Sequence, residues 1–142
     1  MTIKINCENR NNKKRIDLAK IKKAAGKALR LLKKKDSELN IVFLSNQKIR
    51  AINRRYLGKD VSTDVIAFPG EIGRRLLGDI AVSTDKAAQN AKEYGNSFIE
   101  EVALYVIHGI LHLTGYDDHE KKDTEAMRRK ENELFQKAKT CL

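Results

Sequence analysis

The 142-residue chain has three histidines, and all of them lie between positions 108 and 119. The stretch reads His108-Gly109-Ile110-Leu111-His112-Leu113-Thr114-Gly115-Tyr116-Asp117-Asp118-His119. On a helix, a spacing of four puts the His108 and His112 imidazoles on one face, one turn apart. Gly115 can take a positive φ and end that helix. The chain can then turn and bring His119 back toward the same point. Two helical imidazoles and a third beyond a glycine turn make a three-nitrogen metal site with a fourth position open for water. Such a site suits Zn2+, with Ni2+ or another divalent transition metal as the alternative. The expected ligands are therefore His108, His112 and His119. Asp117 and Asp118 adjoin the third, and either could replace it or hold a ligand from behind. A lone histidine on an apolar helix is usually a core residue with a satisfied hydrogen bond. Three at ligand spacing, with none elsewhere, point to a metal.

The same stretch excludes one chemistry. Zinc peptidases with the H-E-x-x-H pattern carry their general base directly after the first histidine. Here that position is Gly109, so the usual peptidase base is missing.

Composition sets the frame around this site. With 41% apolar residues the chain can build the core of one domain, here taken as residues 1–142. No apolar run approaches the ~18 residues of a membrane span, and no secretory leader pattern opens the sequence, so no membrane partner is expected. Cys7 and Cys141 are too few and too far apart in sequence for a disulfide framework or a cysteine-based zinc site. They read as two reduced thiols of a cytoplasmic protein. The charge is unevenly placed: residues 1–35 hold 13 Lys or Arg against 2 acids, and the rest holds 16 against 17. The whole surplus of +10 thus sits in the first quarter of the chain. It fits either a polyanionic partner such as RNA or a merely solvated helix face.

The elements that must position the histidines follow from periodicity. Residues 2–7 alternate as a first strand starting close to Met1. Residues 15–34 form a helix with Leu18, Ile21, Ala25, Ala28 and Leu32 as its buried stripe and lysines over the rest. Residues 38–44 form a buried strand, and Ser45 is placed to cap a helix over 46–56. Residues 63–68 form a strand stopped at Pro69-Gly70, and 76–82 form its hairpin partner. Ser83 or Thr84 caps a helix ending at Gly95. Ser97-x-x-Glu100 is a capping box that opens the histidine helix, which is apolar on most sides and therefore central. Residues 120–138 form a last helix rich in Lys and Glu. The sum is an α+β domain with a four-stranded mixed sheet and about five helices.

Three motifs carry a resemblance: Thr63-Asp64-Val65-Ile66-Ala67-Phe68-Pro69, then Leu77-Gly78-Asp79-Ile80, then His108-Gly109-x-Leu111-His112-Leu113-x-Gly115-Tyr116-Asp117. In this order, over nearly the whole chain, they resemble the YbeY family. The resemblance implies a cytoplasmic, metal-dependent endoribonuclease for single-stranded RNA. It further implies work on the small ribosomal subunit, in 16S rRNA 3′-end maturation and ribosome quality control. It assigns a zinc-type ion to His108, His112 and His119. Two departures stand out. The commonest family pattern has the third histidine directly after Tyr-Asp, where this chain has Asp118, with His119 one residue later. Many members also carry an arginine implicated in activity where this chain has Leu57. Arg54, Arg55 and Lys59 lie nearby and are the candidate catalytic cations.

On this reading a metal-assisted RNA hydrolase is expected, with the basic face of residues 20–34 holding the RNA backbone by charge. A ribosome-assembly factor with a structural metal is the competing class, separated by whether the fourth coordination position is open or filled by protein. A zinc hydrolase of another substrate class, such as a peptidase, is the third.

Overall fold

Four strands form one mixed sheet in the order β1-β2-β4-β3. They are β1 (Lys4–Asn9), β2 (Glu38–Leu44), β3 (Val65–Pro69) and β4 (Leu76–Ser83). β1 and β4 both run parallel to β2, and β3 lies antiparallel to β4 at the edge. The helices are α1 (Leu18–Leu31), α2 (Asn46–Leu57), α3 (Thr84–Tyr94), α4 (Phe98–Leu113) and α5 (Lys121–Ala138), with a short 3-10 turn over Lys139–Cys141. This computed structural model describes residues 2–11 and 13–142. Met1, expected beside the first strand, lies outside them. The architecture is the single-domain α+β fold with a four-stranded mixed sheet and five helices that periodicity predicts.

Boundaries move where tertiary pairing overrides local pattern. β1 starts and ends two residues later than expected, because its ladder follows β2 in register from Lys4 opposite Glu38 to Asn9 opposite Phe43. α1 is shorter than 15–34. Asp17 accepts the Lys20 backbone N–H at its start. At its end Lys33 takes φ 61°, and the Lys34 N–H returns to the Leu29 carbonyl.

One face of the sheet presents Leu39, Ile41, Phe43, Ile80 and Val82 to a core shared with α1, α4 and α5. The other face is covered in part by α2, whose Ile49 packs with Leu44, Ile66 and Ala81. Its remaining surface is a polar ladder: Asn6 donates to Asn40, and Asn40 to Asp79.

α4 is the central helix, packed against α1, α3, α5, β3 and β4. The capping box opens it, with the Ser97 hydroxyl accepting the Glu100 N–H and the Glu100 carboxylate accepting the Ser97 N–H. Gly109 lets it approach β4, since a Cβ there would meet Ile80 side-chain atoms at 2.9–3.1 Å. That contact explains the missing peptidase base: a glutamate at 109 has no room. Among the described residues no helix is long and apolar enough to cross a membrane.

Candidate metal centre

The last two turns of α4 place both helical histidines at the β3 edge of the sheet. Gly109 sits over Ile80, which pairs with Ala67 of β3. Gly78, packed against Leu113, pairs with Pro69. His112 lies beside β3 and lines one cleft with Val65, Ile66 and Ala67. His108 and His112 bring their Nε2 atoms to 3.2 Å, with the rings nearly perpendicular. Two nitrogens on a tetrahedral ion with bonds of about 2.0–2.1 Å would be ~3.3 Å apart, so the pair is already spaced as two ligands of one ion.

A residue that the sequence reading left out holds this arrangement. Glu131, on α5, lies with its Oε2 2.6 Å from His108 Nδ1. The contact fixes a proton on Nδ1 and directs Nε2 toward His112, as carboxylates do behind metal-bound histidines. Nothing local distinguishes Glu131 from the other glutamates of a Lys- and Glu-rich helix. Only its helical spacing to Met127, Leu134 and Phe135, all buried, hints that this row of α5 faces inward.

Electrostatics separate the two rings. Burial works against a charged His108, but the hydrogen bond and charge of Glu131, with Asp64 and Asp118, outweigh it and raise its pKa above the ordinary value. Burial and then the charge of His108 lower that of His112. The metal-free pair can thus share one proton between the two Nε2 atoms, in the place an ion would take.

The third potential donor beside the pair is Asp118, one residue before the expected His119. Ligand atoms of His108, His112 and Asp118 all lie within 4.8 Å of one another. His119 falls outside this group; its side chain is exposed and its backbone N–H donates to Asp117 Oδ1. The physical reason is the path of the α4–α5 connection. Gly115 takes φ 105°, the Tyr116 N–H returns to the Leu111 carbonyl, and Thr124 Oγ1 donates to the Asp118 carbonyl. Successive residues of a non-helical segment point to different sides, so one of the two faces the histidines. Two imidazoles and a carboxylate are a fitting donor set for a zinc-type ion. Three donors converge here among the described residues, one fewer than a closed structural zinc site takes.

The pair opens on a cleft of about 620 Å³ between the outer edge of β3 and the loop after α2. His112 lines it, with Leu57, Lys59 and Thr63 among the other walls. Asn53 is buried and fixes the loop: its side chain donates to the Val61 carbonyl and its own carbonyl accepts the Lys59 N–H. Of the three candidate cations only Lys59 lines this cleft. Arg54 lies on the outer face of α2 beside Arg50 and Asp60, and the Arg55 guanidinium rests 5.4 Å from the Tyr56 ring centre. Tyr56, Leu57 and Val61 are exposed and leave an apolar rim near the cleft, with Tyr56 braced edge-on by Phe68.

Comparison with known proteins shows the family. Residues 6–139 match the sequence model of the family described as endoribonuclease YbeY. The chain belongs to the YbeY family. A protein of Geobacter metallireducens named endoribonuclease YbeY is 40% identical over 141 residues, 94% of each chain. One of Carboxydothermus hydrogenoformans, also named endoribonuclease YbeY, is 45% identical over 99 residues, 68% of this chain and 69% of its own. The solution structure of TM1509 from Thermotoga maritima superposes with a TM-score of 0.68 at 30% identity, over 94% of this chain and 88% of that one. YbeY relatives are thus named as enzymes that cut phosphodiester bonds within RNA.

Both cysteines are free, and neither lies in the donor group. Burial pushes the Cys7 thiol up to about 11, which leaves it a poor nucleophile.

Proposed function

We propose that this protein is a metal-dependent endoribonuclease that cuts single-stranded RNA. We place its substrate in the 3′ region of 16S rRNA and its partner in the small ribosomal subunit, in the cytoplasm, with roles in rRNA maturation and ribosome quality control. The observation that carries the reading is the convergence of His108 and His112, oriented by Glu131, at the head of a cleft walled by Lys59. The endoribonuclease names of the relatives support the reaction class.

The ion is Zn2+, one per chain, held by His108, His112 and Asp118, with His119 as the competing third donor. When bound it supplies a Lewis acid for a phosphoryl oxygen and a more acidic water. The protein's own groups do the rest. Glu131 holds His108 in the ligating tautomer. Lys59, whose backbone N–H is held by the Asn53 carbonyl, presents a cation to charge that develops on the phosphate. It stands in for the family arginine that Leu57 replaces. The apolar rim of Tyr56, Leu57 and Val61 offers a surface to unpaired bases, which a duplex keeps stacked inside.

The assembly-factor reading needs a protein group in the fourth coordination position, and three converging donors argue against it. A peptidase needs a base that Gly109 cannot provide. Purified protein should cut a single-stranded oligonucleotide from the 16S rRNA 3′ end and spare the same sequence in a hairpin. Equal cutting of both would remove the single-strand assignment, and no cutting by metal-loaded protein would remove the reaction class.

A further inference from the structure

The basic surplus and the metal cleft lie on opposite flanks of the molecule. α1 packs over β1, and the cleft borders β3, three strand spacings away in the order β1-β2-β4-β3. At about 4.8 Å per spacing that is roughly 14 Å across the sheet alone. Two further rulers agree. Lys27 Nζ reaches Thr140 Oγ1 beyond the C-terminal end of α5, while Glu131, earlier on the same helix, meets His108. Lys14 lies over Phe98, the first residue of α4, while His112 is in its last turn. A face on α1 therefore cannot be a wall of the cleft.

That face has the form of a phosphate-binding rod. Lys20, Lys23, Lys27 and Arg30 are spaced three, four and three apart and form one row on α1. The row is about 15 Å long at 1.5 Å per residue. None of the four takes part in an ion pair among the described residues, whereas Arg10, Arg50, Arg74 and Arg75 each do. Lys22, Lys33, Lys34 and Lys35 add charge around the row, and the one acid between positions 13 and 35 is Asp17, which caps the helix.

The chemistry of the occupant follows from what the face lacks. No aromatic residue precedes Phe43, so neither β1 nor α1 supplies a ring to stack an unpaired base. The apolar side of α1 is spent in the core, with Ile21, Ala25, Ala28 and Leu29 fully buried, so it cannot dip into a lipid surface. What remains is a straight, rigid line of cations, which suits a polyanion of high and regular charge density. A nucleic-acid duplex carries two phosphate strands and releases more counterions per contact than a single strand does.

We propose that α1 is a docking face for double-helical RNA. It grips the phosphate backbone without reading sequence, and it works apart from the cleft that receives the single strand. The enzyme then binds a junction: a duplex on the α1 flank and an unpaired segment running toward the β3 edge.

The test is a variant with Lys20→Gln, Lys23→Gln, Lys27→Gln and Arg30→Gln, all surface changes, compared with the parent protein on two probes. The first is binding to a blunt RNA hairpin over a potassium chloride series. The second is cleavage of a short unstructured oligonucleotide. The variant should lose tenfold or more in hairpin affinity at low salt, and its log–log salt slope should shrink by about three to four. Its kcat/KM on the short oligonucleotide should stay at the parent value. Unchanged hairpin affinity overturns the docking face. An equal loss on both probes overturns its separation from the cleft. Tighter parent binding to phosphatidylserine vesicles than to the hairpin, abolished in the variant, overturns RNA as the occupant. His112→Ala, which disables the cleft, should leave hairpin binding intact, so a failure of the catalytic reading does not imitate a failure here.

Discussion

Glu131 Oε2 lies 2.6 Å from His108 Nδ1, and through that contact α5 sets the direction of the first candidate metal ligand on α4. Glu131→Gln keeps the shape and an acceptor but removes the charge. Partners of this kind are worth roughly 10- to 100-fold in metal affinity. A competition titration with a chromophoric chelator should show a loss in that range, with secondary structure unchanged by circular dichroism. Parent-like affinity would mean that the carboxylate only fills space.

The two histidine shifts predict opposite pH trends for the metal-free protein. His108 is raised above its ordinary value, so its contribution to stability is complete below that value and is lost as pH rises through the folded pKa. His112 is lowered, so its contribution is complete above the ordinary value and is lost as pH falls through its folded pKa. The chelated protein should therefore be most stable between the two, with Tm falling on either side. Metal competes with the shared proton, so affinity should climb as pH rises through the His108 value and level off above it. In Glu131→Gln the climb should occur at lower pH. Affinity that is flat from pH 5.5 to 8 would exclude the shared proton.

Asp118 and His119 are the two candidates for the third position. Metal analysis of single alanine variants separates them: Asp118→Ala should lose most of the bound ion, and His119→Ala should keep it. The reverse pattern would return the third ligand to the imidazole that the sequence favours, and would show that the connection after Gly115 rearranges around the ion.

Lys59 should matter more than its arginine neighbours. Removing one preorganised donor from a site of developing charge costs about 10²–10³ in kcat. Lys59→Ala should fall in that range on single-stranded RNA, with metal content unchanged. Arg54→Ala and Arg55→Ala should stay within a few-fold of the parent. Leu57→Arg, which restores the family residue to the cleft wall, should raise kcat in the Lys59→Ala background. No gain there would mean that position 57 does not face the phosphate.

Much of this was legible in the sequence, for physical reasons that can be named. The capping box at Ser97 and Glu100 acts over three residues, so it reads directly. The hairpin of β3 and β4 joins neighbours in the chain. The parallel pairing of β2 with β4 does not, because it depends on how α2 and the hairpin cross the sheet. The histidine pair is local to one helix turn, so its placement on one face was readable. Its carboxylate partner is 23 residues away on another helix and was not. The choice between Asp118 and His119 turns on one residue of a connecting loop, where periodicity offers no guide. The position of the cationic row relative to the cleft likewise depends on strand order and on how α1 packs against α4 and α5.

The account rests on an ion between His108 and His112 that drives RNA cleavage. The direct test strips the protein with a chelator, measures residual metal, and refills it stepwise with Zn2+ during cleavage of a single-stranded 16S rRNA 3′-end oligonucleotide. Activity should vanish on stripping and return in proportion to occupancy, saturating at one ion per chain, and His108→Ala should neither bind the ion nor regain activity. Stripped protein, or His108→Ala, that cuts the RNA as fast as the loaded parent would contradict it.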